Sequence, residues 1–247
     1  MRIVLTQADG RLEALARALR DAGHDPVVAP LLRTRPLVDA ATRVAAKTLL
    51  GMAWRCYASR SAVEAWVALG LPFDDGARLA AVGAGTARDL VEQARAAHGP
   101  GLPPPLTPPP EGSSAAGLAA ALLRAGAAGQ EVGLVQGRRA RPELAQRLRA
   151  GGAFPRTATV YDVITLPWQV TGRVDAVLLT SPSAAAALPR EIGDHAVLIA
   201  LGPTTAAALR ERGWRCREAP EPSTEGVVSA LAGLAPLHRD VGARGAP

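Results

Sequence analysis

A strand, a serine-bearing turn and a helix start occur twice in this chain, and that repetition limits the fold more than any other feature. Trp54-Arg55-Cys56-Tyr57-Ala58-Ser59-Arg60-Ser61 has its counterpart in Ala176-Val177-Leu178-Leu179-Thr180-Ser181-Pro182-Ser183. Leu79-Ala80-Ala81-Val82-Gly83-Ala84-Gly85-Thr86-Ala87 has its own in Leu198-Ile199-Ala200-Leu201-Gly202-Pro203-Thr204-Thr205-Ala206. Pro110-Glu111-Gly112-Ser113-Ser114 then matches Pro220-Glu221-Pro222-Ser223-Thr224, each ahead of an Ala/Leu/Val-rich helix. Three matches in one order at nearly constant offset imply two copies of one supersecondary assembly.

A fourth pair is displaced. Arg2-Ile3-Val4-Leu5-Thr6, with a helix near Arg11 to Ala22, resembles Glu131-Val132-Gly133-Leu134-Val135-Gln136, with a helix near Pro142 to Ala150. Asp9 is the expected N-cap of the first helix, and Pro142 suits the first turn of the second. Each unit then enters another strand, near Pro26 to Pro30 and near Ala158 to Val163. Strands alternating with helices of this length predict an α/β fold: two Rossmann- or flavodoxin-like lobes with parallel sheets. Two arrangements fit the repeats: sequential lobes, or a discontinuous lobe in which Met1 to about Leu32 completes the C-terminal half. The proline-dense stretch from Gly99 to Pro110 predicts an extended surface connector, and Gly242 to Pro247 a loose tail.

Only 3% of the 247 residues are aromatic while 48% are hydrophobic, so the cores must be built mainly from Ala, Leu and Val. Net charge is +6, carried almost wholly by arginine, since Lys47 is the single lysine. The arginines are dispersed and aromatics scarce, which argues against a nucleic-acid-binding stripe. The same positive field suits a small, highly carboxylated ligand. Cys56 and Cys216 sit in apolar strands of different halves and read as free thiols in a reducing compartment. No signal-peptide core or spanning apolar run appears, so a cytoplasmic protein is expected.

Strong chemical signatures are missing. The chain has no phosphate loop or nucleophile elbow, and His24, His98, His195 and His238 are dispersed without metal-ligand spacing. Gly83-Ala84-Gly85 starts like a dinucleotide fingerprint, but the repeated copy loses the second glycine. What remains is a set of Ser-, Thr- and Gly-rich helix starts at the carboxyl ends of strands. Their unpaired N–H groups suit anions, and lobes facing one another would line a cleft for several carboxylates.

At these residues the chain resembles the uroporphyrinogen-III synthase family. The resemblance runs over Leu5-Thr6, Ala58-Ser59 with Ala62-Val63-Glu64-Ala65, Val82-Gly83 with Thr86-Ala87, Gly137-Arg138, Thr159-Val160-Tyr161, Thr180-Ser181-Pro182-Ser183 and Leu201-Gly202-Pro203-Thr204-Thr205-Ala206. It covers about Arg2 to Leu234, and order and spacing together carry it. It implies a discontinuous lobe of residues 1–33 plus 166–240 and a second lobe of 37–158. Linkers 34–36 and 159–165 would join them, leaving a tail at 241–247. It further implies a monomeric, cofactor-free and metal-free lyase of tetrapyrrole (porphyrin, haem) biosynthesis that closes hydroxymethylbilane with inversion of ring D. Tyr161 becomes the catalytic candidate. Thr6, Ser59, Gly83, Thr86, Gly137, Arg138, Arg139, Ser181, Ser183, Gly202, Thr204 and Thr205 become substrate-binding candidates. Gln7 and Gln136 depart from the arginines common in the family, which leaves a non-catalytic tetrapyrrole-binding or sensor protein as the alternative.

Overall fold

The computed structural model describes residues 1–7, 12–99 and 101–232. Asp9 and the tail from Gly242 lie outside them. The chain divides into two compact units: Met1–Arg33 with the chain from Ile164 onward, and Thr34–Val163. In chain order the strands and helices are β1 Arg2–Leu5, α1 Glu13–Asp21, β2 Asp25–Val28, β3 Leu32–Pro36 and α2 Ala40–Lys47. There follow β4 Trp54–Tyr57, α3 Arg60–Ala68, β5 Arg78–Ala81, α4 Ala84–His98, α5 Ala115–Arg124, β6 Glu131–Gly137, α6 Glu143–Ala150 and β7 Phe154–Thr165. The chain continues with β8 Ala176–Leu179, α7 Pro182–Ala187, α8 Arg190–Gly193, β9 Val197–Ala200, α9 Pro203–Glu211, β10 Cys216–Glu218 and α10 Thr224–Leu231.

The first unit holds a parallel sheet in the order β10-β9-β8-β1-β2. Helices α1 and α10 pack together, as do α7 and α9. Two apolar layers fill the space, one around Leu5, Leu15, Leu19 and Ile199, the other around Val177, Leu179, Leu209 and Trp214. These are mostly short aliphatic side chains, as so low an aromatic content demands.

The second unit is a rearranged copy. Its sheet runs β3-β7-β6-β4-β5 with β7, β6, β4 and β5 parallel. Helices α3 and α4 pair, and α5 pairs with α6. Matching serine caps make β4 the equivalent of β8, β5 of β9, β6 of β1 and β7 of β2. Both sheets therefore have the flavodoxin-like strand order, with the strand path reversing at β1/β8 in one and β6/β4 in the other. The copies differ in where the chain enters, which is why the fourth sequence match is displaced.

The proline-dense connector has neither helix nor strand over the described residues 101–109, but it meets the sheet at one residue. Leu106 makes a one-residue parallel bridge to Ala80, with Leu106 N–H donating to the Leu79 carbonyl and Ala81 N–H donating to the Leu106 carbonyl. It occupies the place that β10 fills beside β9. Prolines on both sides cannot donate to a ladder, so a full strand shrinks to a single bridge. The edge of β5 is covered all the same. At the far edge of the first sheet, Asp25 and Ala29 donate to Met1 and Leu5 carbonyls, so Pro26 and Pro30 point outward and leave that edge poor in donors.

The third sequence match also shifts by one residue. Ser114 and Ser223 are the equivalent N-caps, accepting from the N–H groups of Gly117 and Gly226. A Cβ on Gly117 would lie 1.9 Å from the Gly112 carbonyl oxygen, and one on Gly226 2.1 Å from that of Glu221. Both helix starts are wrapped so closely that only glycine fits at their third position.

Candidate functional site

In open α/β sheets ligands bind beyond the carboxyl ends of strands where the strand order reverses. In the second unit that point lies at the ends of β4 and β6. Ser59, N-cap of α3, has extended backbone geometry and accepts from Ala62 N–H at 3.2 Å. Its Oγ is also 3.0 Å from the hydroxyl of Tyr161. A serine hydroxyl accepts more than one hydrogen bond and donates one, so Ser59 can serve the helix and the phenol together. The Tyr161 ring packs closely on Gly137, where a Cβ would come within 2.4 Å of ring carbon Cζ. Three of the residues singled out from the sequence (Ser59, Gly137 and Tyr161) are thus in direct contact.

Of the remaining sequence candidates of this unit, Arg138 adjoins that contact through the Tyr161 carbonyl. Gly83 is the N-cap of α4, and its Cα faces Ser113, whose Oγ a Cβ there would approach to 3.2 Å. Thr86, in the same first turn, is buried. Arg138 bonds through Nε to Asp162 Oδ2 at 3.0 Å, while its N–H donates to the Tyr161 carbonyl at 2.9 Å. Arg139 is exposed.

In the first unit the equivalent rim is built by Ser181, N-cap of α7, and Gly202, N-cap of α9. Ser183 and Thr204 are exposed, whereas Thr205 is buried in the first turn of α9. Thr6 is 3% exposed and donates its hydroxyl to the Leu178 carbonyl at 2.7 Å, so that group is committed inside the unit.

Two residues were invisible to sequence reasoning. Arg60 follows Ser59 and pairs with Asp89 at 3.0 Å, its guanidinium packing on Gly85. A Cβ at Gly85 would come within 3.3 Å of that guanidinium. Asp162 is the other; nothing in the spacing of Arg138 and Asp162 signals an ion pair across 24 residues. Its one sequence cue is adjacency to Tyr161.

One further charge in the second unit is structural. Arg55 is fully buried on β4, bonded to Tyr57, Asp75 and the Pro72 and Phe73 carbonyls, and stacked over Trp66. Burial pushes the Tyr57 phenol far up, only partly opposed by Arg55, so it stays protonated. Burial likewise lifts the Cys56 thiol to about 12 and makes it an inert core residue. Among the described residues no cluster of His, Cys, Asp and Glu has metal-holding geometry, and no helix is long and apolar enough to cross a membrane.

The chain matches known proteins over most of its length. The profile of a family described as uroporphyrinogen-III synthase HemD matches residues 13–229. A crystal structure of a mutant uroporphyrinogen III synthase from the extremely thermophilic bacterium Thermus thermophilus superimposes with a TM-score of 0.58 at 22% identity, covering 94% of this chain and 98% of that one. For the uroporphyrinogen-III synthetase of Helicobacter pylori the TM-score is 0.57 at 15% identity, covering 93% and 97%. At such identities the likeness is one of fold. No curated protein sequence matches significantly.

Proposed function

The chain belongs to the uroporphyrinogen-III synthase HemD family, and we propose that it closes hydroxymethylbilane to uroporphyrinogen III, inverting ring D and releasing water. The reaction breaks the bond between the terminal hydroxymethyl carbon and its oxygen, leaving a cationic carbon conjugated with a pyrrole. A ring D carbon then attacks; attack by the substituted carbon makes it quaternary, so its bond to the methylene that joins rings C and D breaks and re-forms at the unsubstituted carbon, which loses its proton. Closure at the unsubstituted carbon is spontaneous and gives the uninverted isomer, so the protein's task is to hold ring D until the other carbon reacts. That is catalysis by positioning, for which no acid/base dyad is needed.

The contact between Ser59 and Tyr161 carries this reading. If Ser59 donates into the phenolic oxygen, the phenol's own proton is directed outward. There it is passed to the departing hydroxyl as the carbon–oxygen bond breaks, so that water leaves, and the phenolate recovers a proton from the one that ring D loses on closure. The acetate and propionate arms of the substrate bind at the N–H-rich rims: Gly83 and Thr86 with Arg138 and Arg139, and Ser181, Ser183, Gly202, Thr204 and Thr205. Charge-assisted hydrogen bonds are the strong ones, and a net charge of +6 draws the polyanion in. Thr6 supports its rim from inside, its hydroxyl bonded to the Leu178 carbonyl rather than offered to substrate. In this reading the enzyme works as a cytoplasmic monomer on a free linear tetrapyrrole.

Gln136, where arginine is common in the family, favours the second reading of a tetrapyrrole-binding protein that does not close its ligand. Freshly made hydroxymethylbilane separates the two. The synthase yields the inverted isomer as the main product after oxidation; only the uninverted isomer, at protein above substrate, would leave the binder. Tyr161→Phe is expected to lower kcat about 100-fold, and normal turnover would remove the phenol from the mechanism.

A further inference from the structure

The partner strand of β6 is irregular where it matters. From Glu131↔Phe154 to Gln136↔Thr159 the two strands pair residue for residue, but Gly137 pairs with Tyr161, so Val160 is an inserted residue. Its carbonyl turns to the other side and accepts from Leu37 N–H at 2.8 Å. In a regular strand Tyr161 would face away from Ala158 and Val160. Here all three pack on the same apolar cluster. The bulge has re-aimed the tyrosine, a common use of bulges near active sites.

A bulge also loosens the ladder, so the residue beyond it needs another anchor. Arg138 supplies it at two points: its N–H holds the Tyr161 carbonyl, and its Nε holds Asp162 Oδ2. Asp162 Oδ1 in turn accepts from Val163 N–H at 2.8 Å, stiffening the backbone just past the tyrosine. The carboxylate is 19% exposed and the guanidinium side chain 62% exposed. A pair this open adds little to global stability.

We infer that Asp162 is a positioning residue for Tyr161: its carboxylate, clamped by Arg138 and capping Val163, keeps the bulged segment in the geometry that places the phenol on Ser59. The catalytic consequence rests on the proposed function; the geometric one does not. Arg138 thereby has a task besides any contact with substrate. Misplacing a reacting group by about 1 Å can cost on the order of 100-fold in rate, so a weak clamp at the base of a long side chain has leverage.

A double-mutant cycle tests this. Asp162→Ala is expected to lower kcat about tenfold with KM changed less than about twofold, and to raise the uninverted fraction. Asp162→Asn, which keeps one acceptor, should fall between. In a Tyr161→Phe background Asp162→Ala should change kcat less than about twofold, because the group it positions is gone. An equal loss in both backgrounds, or no loss in either, overturns the inference. The chain has only two tyrosines, so ring-labelled tyrosine gives an activity-free readout. In Asp162→Ala the Tyr161 resonance should move while that of buried Tyr57 stays, which also reports that the unit is folded. An unmoved Tyr161 resonance overturns the inference as well. Should the wild type close no hydroxymethylbilane, the functional reading falls, and this resonance alone decides the positioning role.

Discussion

The two units solve one topological problem with different side chains. On the strand leading to the serine cap, the first unit has Val177 and the second has buried Arg55 at the same position. Val177 packs in an apolar layer. Arg55 needs Tyr57, Asp75, two carbonyls and the face of Trp66 to be satisfied. Just past each cap, Arg60 stands in the second unit and Pro182 in the first. The residue facing it varies accordingly: Gly85 leaves room for the guanidinium, while its counterpart Thr204 has none to accommodate. The last strand differs most. β2 stops at Val28, whereas β7 runs on to Thr165 and acquires the bulge, Tyr161 and Asp162. A duplicated scaffold thus keeps its caps and tight glycines in both copies, while one copy alone carries the phenol.

The sharpest way to break this comparison is at the buried charge. Asp75→Ala leaves Arg55 uncompensated and should destabilise the second unit by about 3–5 kcal/mol in urea unfolding. Arg55→Met, the apolar solution of the first unit, should cost far less. Equal losses would mean that the arginine contributes stability rather than a particular packing of the Pro72–Asp75 loop.

Equivalence of the tight helix starts is tested next. Gly117→Ala and Gly226→Ala both push a Cβ into a backbone carbonyl, and each should cost about 1–3 kcal/mol. If one is silent, the one-residue realignment of the third repeat is wrong.

The two serine caps should be alike in stability and unlike in chemistry. Ser59→Ala and Ser181→Ala each lose an N-cap, about 1 kcal/mol in thermal unfolding. Only Ser59→Ala should also lower kcat, by about tenfold, because only Ser59 touches the phenol. Comparable rate losses would dissolve the asymmetry. The smallest effect belongs to Gly85→Thr, which copies Thr204 into the second unit. A flexible guanidinium can shift a few tenths of an ångström, so the cost should stay below about 1 kcal/mol. The Arg60–Asp89 pair should then be displaced in a crystal structure of the variant.

Much of the fold was legible because its signals are local. Apolar strands, serine caps and glycine stops act within a few residues, and a duplication shows each of them twice. Ser59, Gly137 and Tyr161 could be named because each belongs to such a local pattern. The Leu106 bridge was not legible: proline density reads as loop, and nothing nearby reveals a sheet edge waiting to be covered. Nor was the offset of Ser114 against Ser223, since Pro-Glu-x-Ser aligns Ser113 with Ser223 and only a cap's hydrogen bond overrides that match.

The order of apolar and small residues by itself determined the strands, the helices and their two-fold repetition, since those depend on short-range periodicity and on backbone groups seeking partners nearby. Tertiary structure alone decided that Val160 is squeezed out of register, that Asp162 meets Arg138, and that a tyrosine ring rests on Gly137. Those contacts join residues far apart in the chain, and their energies exist only once strand pairing has brought the partners within reach.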